Sequence, residues 1–372
     1  MKIGIDARVL LGRKTGDRTY TWNLVRALAR AGSGHEFVLY FDGEPDQHIR
    51  VALRGILLRV ADRPRGYMWT VRALPRLAHE DQLDLLHVQY LTPFAAPCPV
   101  VSTVQDITFR LFPQWFTWRD RTVMGLFMPG ALRRTKAVIV PSQATADAIV
   151  SEYRYPRERL FVTPYAPGEE FRSLPTESAI KQTRHDLRLP DRYMLYVGNL
   201  QPRKNAVRLI RAFAKAREIG GFPERLVLAG QFAWKCTREQ ALLEESQAAG
   251  HTLHLGYVED AALPALYAGA TAFLFPTLYE GFGLPVLEAM AMGTPVLTSD
   301  ISALPEVAGD AALLVAPTDE AAIADGISRL ASDRQLRQHL SSAGRRRTAR
   351  FSWEQAAHQT LQAYEIAAKA PH

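Results

Sequence analysis

Residues 280–295 read EGFGLPVLEAMAMGTP and hold two carboxylates, Glu280 and Glu288, around a glycine turn. An ionised carboxylate only accepts hydrogen bonds, so such a pair suits a ligand that donates from hydroxyls. The apolar run 273–275 just before it reads as a buried strand. Gly281 and Gly283 are expected to bracket a tight turn, because glycine accepts positive φ and lets a ligand approach the backbone. Leu284 and Pro285 then open a short helix, with Pro285 suited to its first position and Glu288 expected in its first turn. Gly293 reads as the stop, with Pro295 just beyond. Backbone N–H groups at such a helix start form a weak anion site. The chemistry implied is an anion over a helix start, with carboxylates beside it for hydroxyls.

A second stretch, residues 196–205, reads YVGNLQPRKN and supplies cations. A helix terminus contributes only about 0.3–2 kcal/mol toward an anion, too little to neutralise a diphosphate. Lys204 can reach in as a point charge, with Arg203 beside it. Taken alone, an Arg-Lys pair is more often a solvated helix start. Together the two stretches resemble the retaining glycosyltransferases of family 4. The likeness lies in two glutamates separated by seven residues around a GFGLP core, and in a G-x-x-x-x-R-K-N/G block. That resemblance implies a nucleotide-diphosphate sugar as co-substrate, bound through Gly198, Asn199, Gly281, Phe282, Gly283, Leu284 and Glu288, with Val258 near the base. It implies that Glu288 holds ribose hydroxyls, that Glu280 with the 282–283 backbone holds the sugar, and that Arg203 and Lys204 stabilise the departing diphosphate. Many relatives carry an arginine where this chain has Asn199, which leaves the diphosphate with less positive charge.

The resemblance is looser in the first half. Residues 4–20 are similar to the family's first strand, glycine loop and following helix; Gly16 is carried over, and Arg18 reads either as a contact to an anionic acceptor or as a solvated loop arginine. At residues 104–109 relatives usually have a histidine before the aspartate, and here Gln105 precedes Asp106. Gln can donate and accept hydrogen bonds but cannot titrate. Asp106 reads as a sugar contact or as a turn residue, and His87, at a strand end, as a ligand contact or as a structural histidine. No histidine has metal-ligand spacing and there is no Asp-x-Asp pair, which agrees with the metal-independent mechanism that the resemblance implies. No cofactor is expected.

The elements that must position these residues follow from apolar periodicity. Runs at 2–6, 36–41, 56–60, 84–88, 100–105, 137–140 and 160–163 read as strands of the first half. Runs at 193–197, 225–229, 252–255, 271–275, 295–298 and 311–315 read as strands of the second. Strand alternating with helix predicts an α/β class with two doubly wound Rossmann-like domains. In the family it resembles, these face a cleft (the GT-B architecture). The boundary is expected in the polar segment 173–191, giving a first, acceptor-binding domain over 1–180 and a nucleotide-sugar domain over 190–350. A last helix at about 353–368 is expected to pack back on the first domain.

The 372-residue chain is 47% hydrophobic and 22% charged, as a globular protein is. Cys98 and Cys236 are far apart in sequence and suggest free thiols in a reducing compartment. The N-terminal residues lack a signal-peptide pattern, and no apolar run is long enough to span a bilayer, so a cytoplasmic location is expected. The net charge of +7 is uneven: residues 1–190 hold 27 basic side chains against 19 acidic ones. Residues 50–76 carry seven arginines against Asp62, and residues 109–136 carry six basic residues against Asp120, interleaved with Phe112, Trp115, Phe116, Trp118, Phe127 and Met128. This second mixture fits an anionic membrane surface at the inner face, or equally a solvated face over a core. No nucleic-acid-binding motif is present.

The expectation is a retaining hexosyltransferase acting on a glycan or lipid-linked acceptor, closest in its 202–205 block to mannosyltransferases of polysaccharide and O-antigen assembly. A GT-B-type epimerase or phosphorylase, and a nucleotide-sugar-binding protein without transfer activity, are the rival readings.

Overall fold

Buried on both faces, a parallel strand is apolar at nearly every position rather than at alternate ones. Segments such as 137–140 (AVIV) and 272–275 (AFLF) have that pattern, and every residue in them is buried. The computed structural model of the chain describes residues 1–12, 15–61, 66, 68–233 and 236–370. It contains thirteen strands among the described residues. The first seven are β1 (Lys2–Asp6), β2 (Glu36–Phe41), β3 (Leu57–Val60), β4 (Leu85–Gln89), β5 (Val100–Thr103), β6 (Ala137–Val140) and β7 (Leu160–Val162). The next six are β8 (Tyr193–Val197), β9 (Arg225–Ala229), β10 (Thr252–Gly256), β11 (Ala272–Phe275), β12 (Val296–Ser299) and β13 (Ala312–Val315).

They form two all-parallel sheets. The first has the order β3-β2-β1-β4-β5-β6-β7 and the second β10-β9-β8-β11-β12-β13. Each order reverses once, between β1 and β4 and between β8 and β11. In a doubly wound sheet the crevice at such a reversal, outside the carboxyl ends of the strands, is where ligands bind.

The chain divides into two compact units, Met1–Tyr165 with Ser352–His372, and Ala166–Phe351. The division falls ahead of the polar segment 173–191. Residues 166–186, with the helix Glu177–Asp186, go with the second unit because that helix packs on the helix Leu263–Ala268. The helix Trp353–Lys369 packs in the first unit, against the helix Gly16–Arg30 and across β4, β5, β6 and β7. Ser352 caps it, its hydroxyl accepting from the Gln355 N–H at 3.0 Å.

The helix Trp353–Lys369 completes a polar and aromatic core in the first unit. Tyr165 stacks on Trp353 with centroids 5.8 Å apart, and Tyr20 lies 4.7 Å from Tyr165. Cys98 is buried and Cys236 half-buried; both are free thiols. Among the described residues no helix is long and apolar enough to cross a membrane.

Candidate functional site

In the second unit the two sequence stretches leave neighbouring strands on either side of the reversal. Ala272 and Phe273 of β11 pair with Met194 and Leu195 of β8, so the chain beyond each strand emerges at the same end. After β8, Gly198 adopts φ +151, and a Cβ at Gly230, after β9, would collide with its carbonyl. Only glycine accepts that approach. The chain then makes a single 3-10 turn, Pro202–Lys204, and Asn205 takes a left-handed conformation (φ 61). Asn205 locks this turn: its Nδ2 donates to the Pro276 carbonyl at 2.8 Å and the Pro317 carbonyl at 2.7 Å.

The turn aims Arg203 and Lys204 at Glu280. Lys204 Nζ donates to Glu280 Oε1 at 2.7 Å, and Arg203 Nη1 lies 3.0 Å from Glu280 Oε2. Arg203 Nη1 also donates to the Tyr279 carbonyl at 3.0 Å. Lys204 Nζ sits 4.8 Å above the Phe275 ring, a further attraction for a cation. The Glu280 N–H donates to Ser302 Oγ at 3.2 Å, which fixes the backbone before the turn. Burial alone would raise the Glu280 carboxyl, but Arg203 and then Lys204 outweigh it and hold it below the ordinary range. Glu280 is therefore ionised at neutral pH, held between the part-buried Arg203 and the buried Lys204.

Gly283 has φ +111, and a Cβ there would lie 2.7 Å from Leu304 Cδ2, so a side chain is excluded on two counts. Gly281 is buried but is not in the positive-φ region, so one glycine, not two, makes the turn. The helix runs Leu284–Ala291, with Pro285 at its second position. Glu288 therefore lies one residue deeper than its expected place, which puts it just outside the first turn, where no acidic residue occurs. It is buried, and its Oε2 accepts from the Tyr267 hydroxyl at 2.9 Å. Burial and the Glu288 charge push the Tyr267 hydroxyl well up. The Phe282 side chain is buried, edge-on to Phe351 at 6.1 Å, so what it can offer a ligand is backbone. Asn199 is exposed, and Val258 is buried beside the half-exposed Tyr257.

The residues singled out in the first unit are not gathered in the same way. His87 is 3% exposed and both its ring nitrogens are engaged, Nδ1 with the Tyr364 hydroxyl at 2.7 Å and Nε2 with Thr103 Oγ1 at 2.8 Å. Desolvation lowers its pKa to about 3, so it is a neutral internal strut rather than a ligand contact. Asp106 takes the turn role, its Oδ1 accepting from the Thr108 N–H at 2.8 Å. Arg18 is braced against its own loop, its Nε donating to the Leu10 carbonyl at 3.2 Å. Gly16 is the first residue of its helix, exposed and without positive φ. Gln105 lies two residues beyond β5, buried; its Oε1 accepts from the Tyr165 hydroxyl while its Nε2 is buried without a partner among the described residues.

The basic segments also divide. In 50–76, Arg59 pairs with Glu80 and Asp81, Arg76 with Glu80, and Arg50 with Glu44. Asp62, Arg63 and Arg65 lie outside the described residues. In 109–136, Met128 is core and Phe112 stacks on Trp115 at 4.4 Å. Trp118 and Leu126, by contrast, are 75% and 70% exposed on the helix Trp118–Arg134.

Three comparisons with known proteins bear on this arrangement. Residues 178–347 match the family described as glycosyl transferases group 1, and residues 15–166 match Glycosyltransferase Family 4. O-antigen chain mannosyltransferase B of Escherichia coli is 34% identical over 269 residues, which span 72% of this chain and 70% of that protein. The chain belongs to glycosyltransferase family 4. Solved structures agree on the fold of this family 4 glycosyltransferase, which is the paired Rossmann-like architecture of GT-B enzymes. WaaG, a glycosyltransferase involved in lipopolysaccharide biosynthesis, superposes with a TM-score of 0.76 at 17% identity over all of both chains. Alr3699/HepE of Anabaena, crystallised with UDP and glucose, superposes with a TM-score of 0.74 at 19% identity over 97% of this chain and 98% of that one.

Sequence reasoning missed Tyr267, Ser302 and the locking role of Asn205. Asn205 stood inside the 196–205 block and could have been found there. Tyr267 and Ser302 had no local signal, since each matters only through a partner 21 or 22 residues away.

Proposed function

We propose that this family 4 glycosyltransferase moves mannose from a nucleotide-diphosphate donor to a glycan acceptor of O-antigen type, with retention at the anomeric carbon and without a metal ion. The observation that carries the reading is the Arg203–Lys204–Glu280 cluster at the β8/β11 reversal. Two cations, Lys204 buried and Arg203 part-buried, beside a helix start without a side-chain cap match a diphosphate leaving group. The carboxylate they share suits a sugar hydroxyl, which can donate to it. Glu288 is assigned to ribose hydroxyls, together with Tyr267. The Gly198, Gly281–Gly283 and Leu284 backbone is assigned to the phosphates and sugar, with Asn199 and Val258 toward the nucleotide. Mannose is supported by the name of the Escherichia coli relative and by the likeness of the 202–205 block.

In this reading the diphosphate binds between Lys204 and the 283–284 N–H groups, and Lys204 remains charged as the glycosidic bond to phosphate breaks. Glu280 itself is not assigned a glycosyl-enzyme bond, because both its oxygens are held by cations. The acceptor proton is assigned to the departing phosphate oxygen. The exposed face of the helix Trp118–Arg134 offers Trp118 and Leu126 between Arg119, Arg121 and Arg133, which fits a peripheral site on anionic lipid.

The test is incubation of the purified chain with a panel of nucleotide sugars and a lipid-linked glycan acceptor, followed by mass spectrometry and anomeric NMR of the product. Mannose addition with retained configuration, undiminished in EDTA, is expected. Inversion or a strict divalent requirement overturns the mechanism, and donor binding without transfer overturns the activity. Vesicle flotation with neutral and anionic lipid tests the surface, with binding expected to anionic vesicles and to be lost in Trp118→Ser/Leu126→Ser.

A further inference from the structure

On the second unit lies a pocket of about 230 Å³ that the donor reading does not use. Its walls are the first turns of three helices, Ala206–Gly220, Thr237–Ala248 and Glu320–Ser332. Helix starts carry partial positive charge. In the first two no side chain caps the free N–H groups, and the Cys236 thiol donates instead to the Ala233 carbonyl. Three guanidiniums line the same space: Arg208, Arg211 and Arg238. Arg208 is held by Asn205, its Nη1 donating to Oδ1 at 3.0 Å. Arg211 and Arg238 are exposed and, among the described residues, make no hydrogen bond or ion pair.

A second observation points to what the pocket takes. Glu239 lines it, is 7% exposed, and has no hydrogen-bond or ion-pair partner among the described residues. Its carboxylate stays open to the pocket, where it can accept a hydrogen bond from whatever enters. Guanidiniums bind phosphate bidentately. A carboxylate beside them repels a bare phosphate and accepts from a hydroxyl. Glu320 at the rim adds to that discrimination.

We infer that this pocket is a binding site for a small phosphorylated sugar, separate from the donor site, with the phosphate on Arg208, Arg211 and Arg238 and a hydroxyl on Glu239. The two sites share the short segment 202–205. Arg203 and Lys204 face Glu280, while Pro202 and Asn205 line the pocket. The inference does not rest on the transfer reaction, since the pocket's residues are not those assigned to the donor.

Calorimetric titration of the full chain with mannose 6-phosphate, inorganic phosphate and mannose at physiological salt tests it. Mannose 6-phosphate should saturate a single site about tenfold more tightly than phosphate, and mannose should give no heat. Arg211→Gln/Arg238→Gln should weaken mannose 6-phosphate at least tenfold with an unchanged melting temperature, as both side chains are exposed. Glu239→Gln should tighten inorganic phosphate and so narrow the gap between the two ligands. Lys204→Ala should leave all of this intact. Absence of saturable binding to the wild-type chain overturns the inference. So does binding that survives the double variant, or binding lost with Lys204, which would place the ligand in the donor site.

Discussion

The two sheets of this protein share a strand order through their first six strands, yet they use the reversal point differently. In the second unit the chain beyond β8 and β11 brings three ionised side chains together, with both Glu280 oxygens held by cations. In the first unit β1 ends on Asp6, paired with Arg8 at 2.8 Å, and β4 carries a neutral histidine tied to the helix Trp353–Lys369. Topology supplies a place for a ligand. It does not supply the charge, which comes from a few loop residues. One reversal gathers two cations around a buried carboxylate, while the other ties a neutral histidine into its core.

The comparison can be broken most directly at Lys204. A preorganised donor aimed at developing charge is worth about 2.7–4 kcal/mol, so Lys204→Ala should lower turnover by about 100-fold or more while circular dichroism stays unchanged. Turnover near wild type would mean that the charged reversal is structural, like its counterpart.

Next in size is the removal of Glu280. Glu280→Gln removes the carboxylate that buried Lys204 and part-buried Arg203 share, and should lower unfolding free energy by about 3 kcal/mol in a urea titration. Pyrophosphate should restore part of that loss, because it supplies the missing anion. Asp6→Asn in the first unit, whose Arg8 is 27% exposed, should cost about 1 kcal/mol or less, with no response to pyrophosphate. Equal losses, or equal rescue, would erase the distinction.

A third test uses pH. His87 titrates at about 3 in the fold and near 6.5 when the chain is open. Below pH 6.5 only the unfolded chain takes up this proton, so stability falls as pH drops from 6.5 toward 3 and is unaffected above that window. The slope from this one group is about 1.4 kcal/mol per pH unit. His87→Gln should flatten that part of the stability profile, measured by urea titration at several pH values. An unchanged profile would show that the histidine is not the neutral strut.

The smallest effect concerns Asn199. An exposed arginine near a bound diphosphate adds about 0.3–1 kcal/mol, so Asn199→Arg should lower the donor KM by twofold to fivefold, more at low salt.

The strands were legible because buried parallel strands are written as unbroken apolar runs, and the β8 and β11 loops because glycine, proline and paired charges sit close together in sequence. Tertiary pairings were not legible. His87 finds Tyr364 277 residues away, and Gln105 finds Tyr165 60 residues away. Nothing local marks either partner. Helix phase was misjudged by one position at Pro285, and that shift alone moved Glu288 out of the first turn. Asp106 kept both readings open until its contact with the Thr108 N–H gave it the turn.

The first unit is assembled from two separated pieces of chain, with Ala166–Phe351 between them. During synthesis from the N-terminus, Tyr20, His87, Thr103 and Tyr165 emerge long before Trp353 and Tyr364, which close over them. The unit begun first is thus the one finished last. Until residues 353–369 arrive, its polar core has a buried histidine without its tyrosine, and the inserted unit has the opportunity to fold on its own schedule.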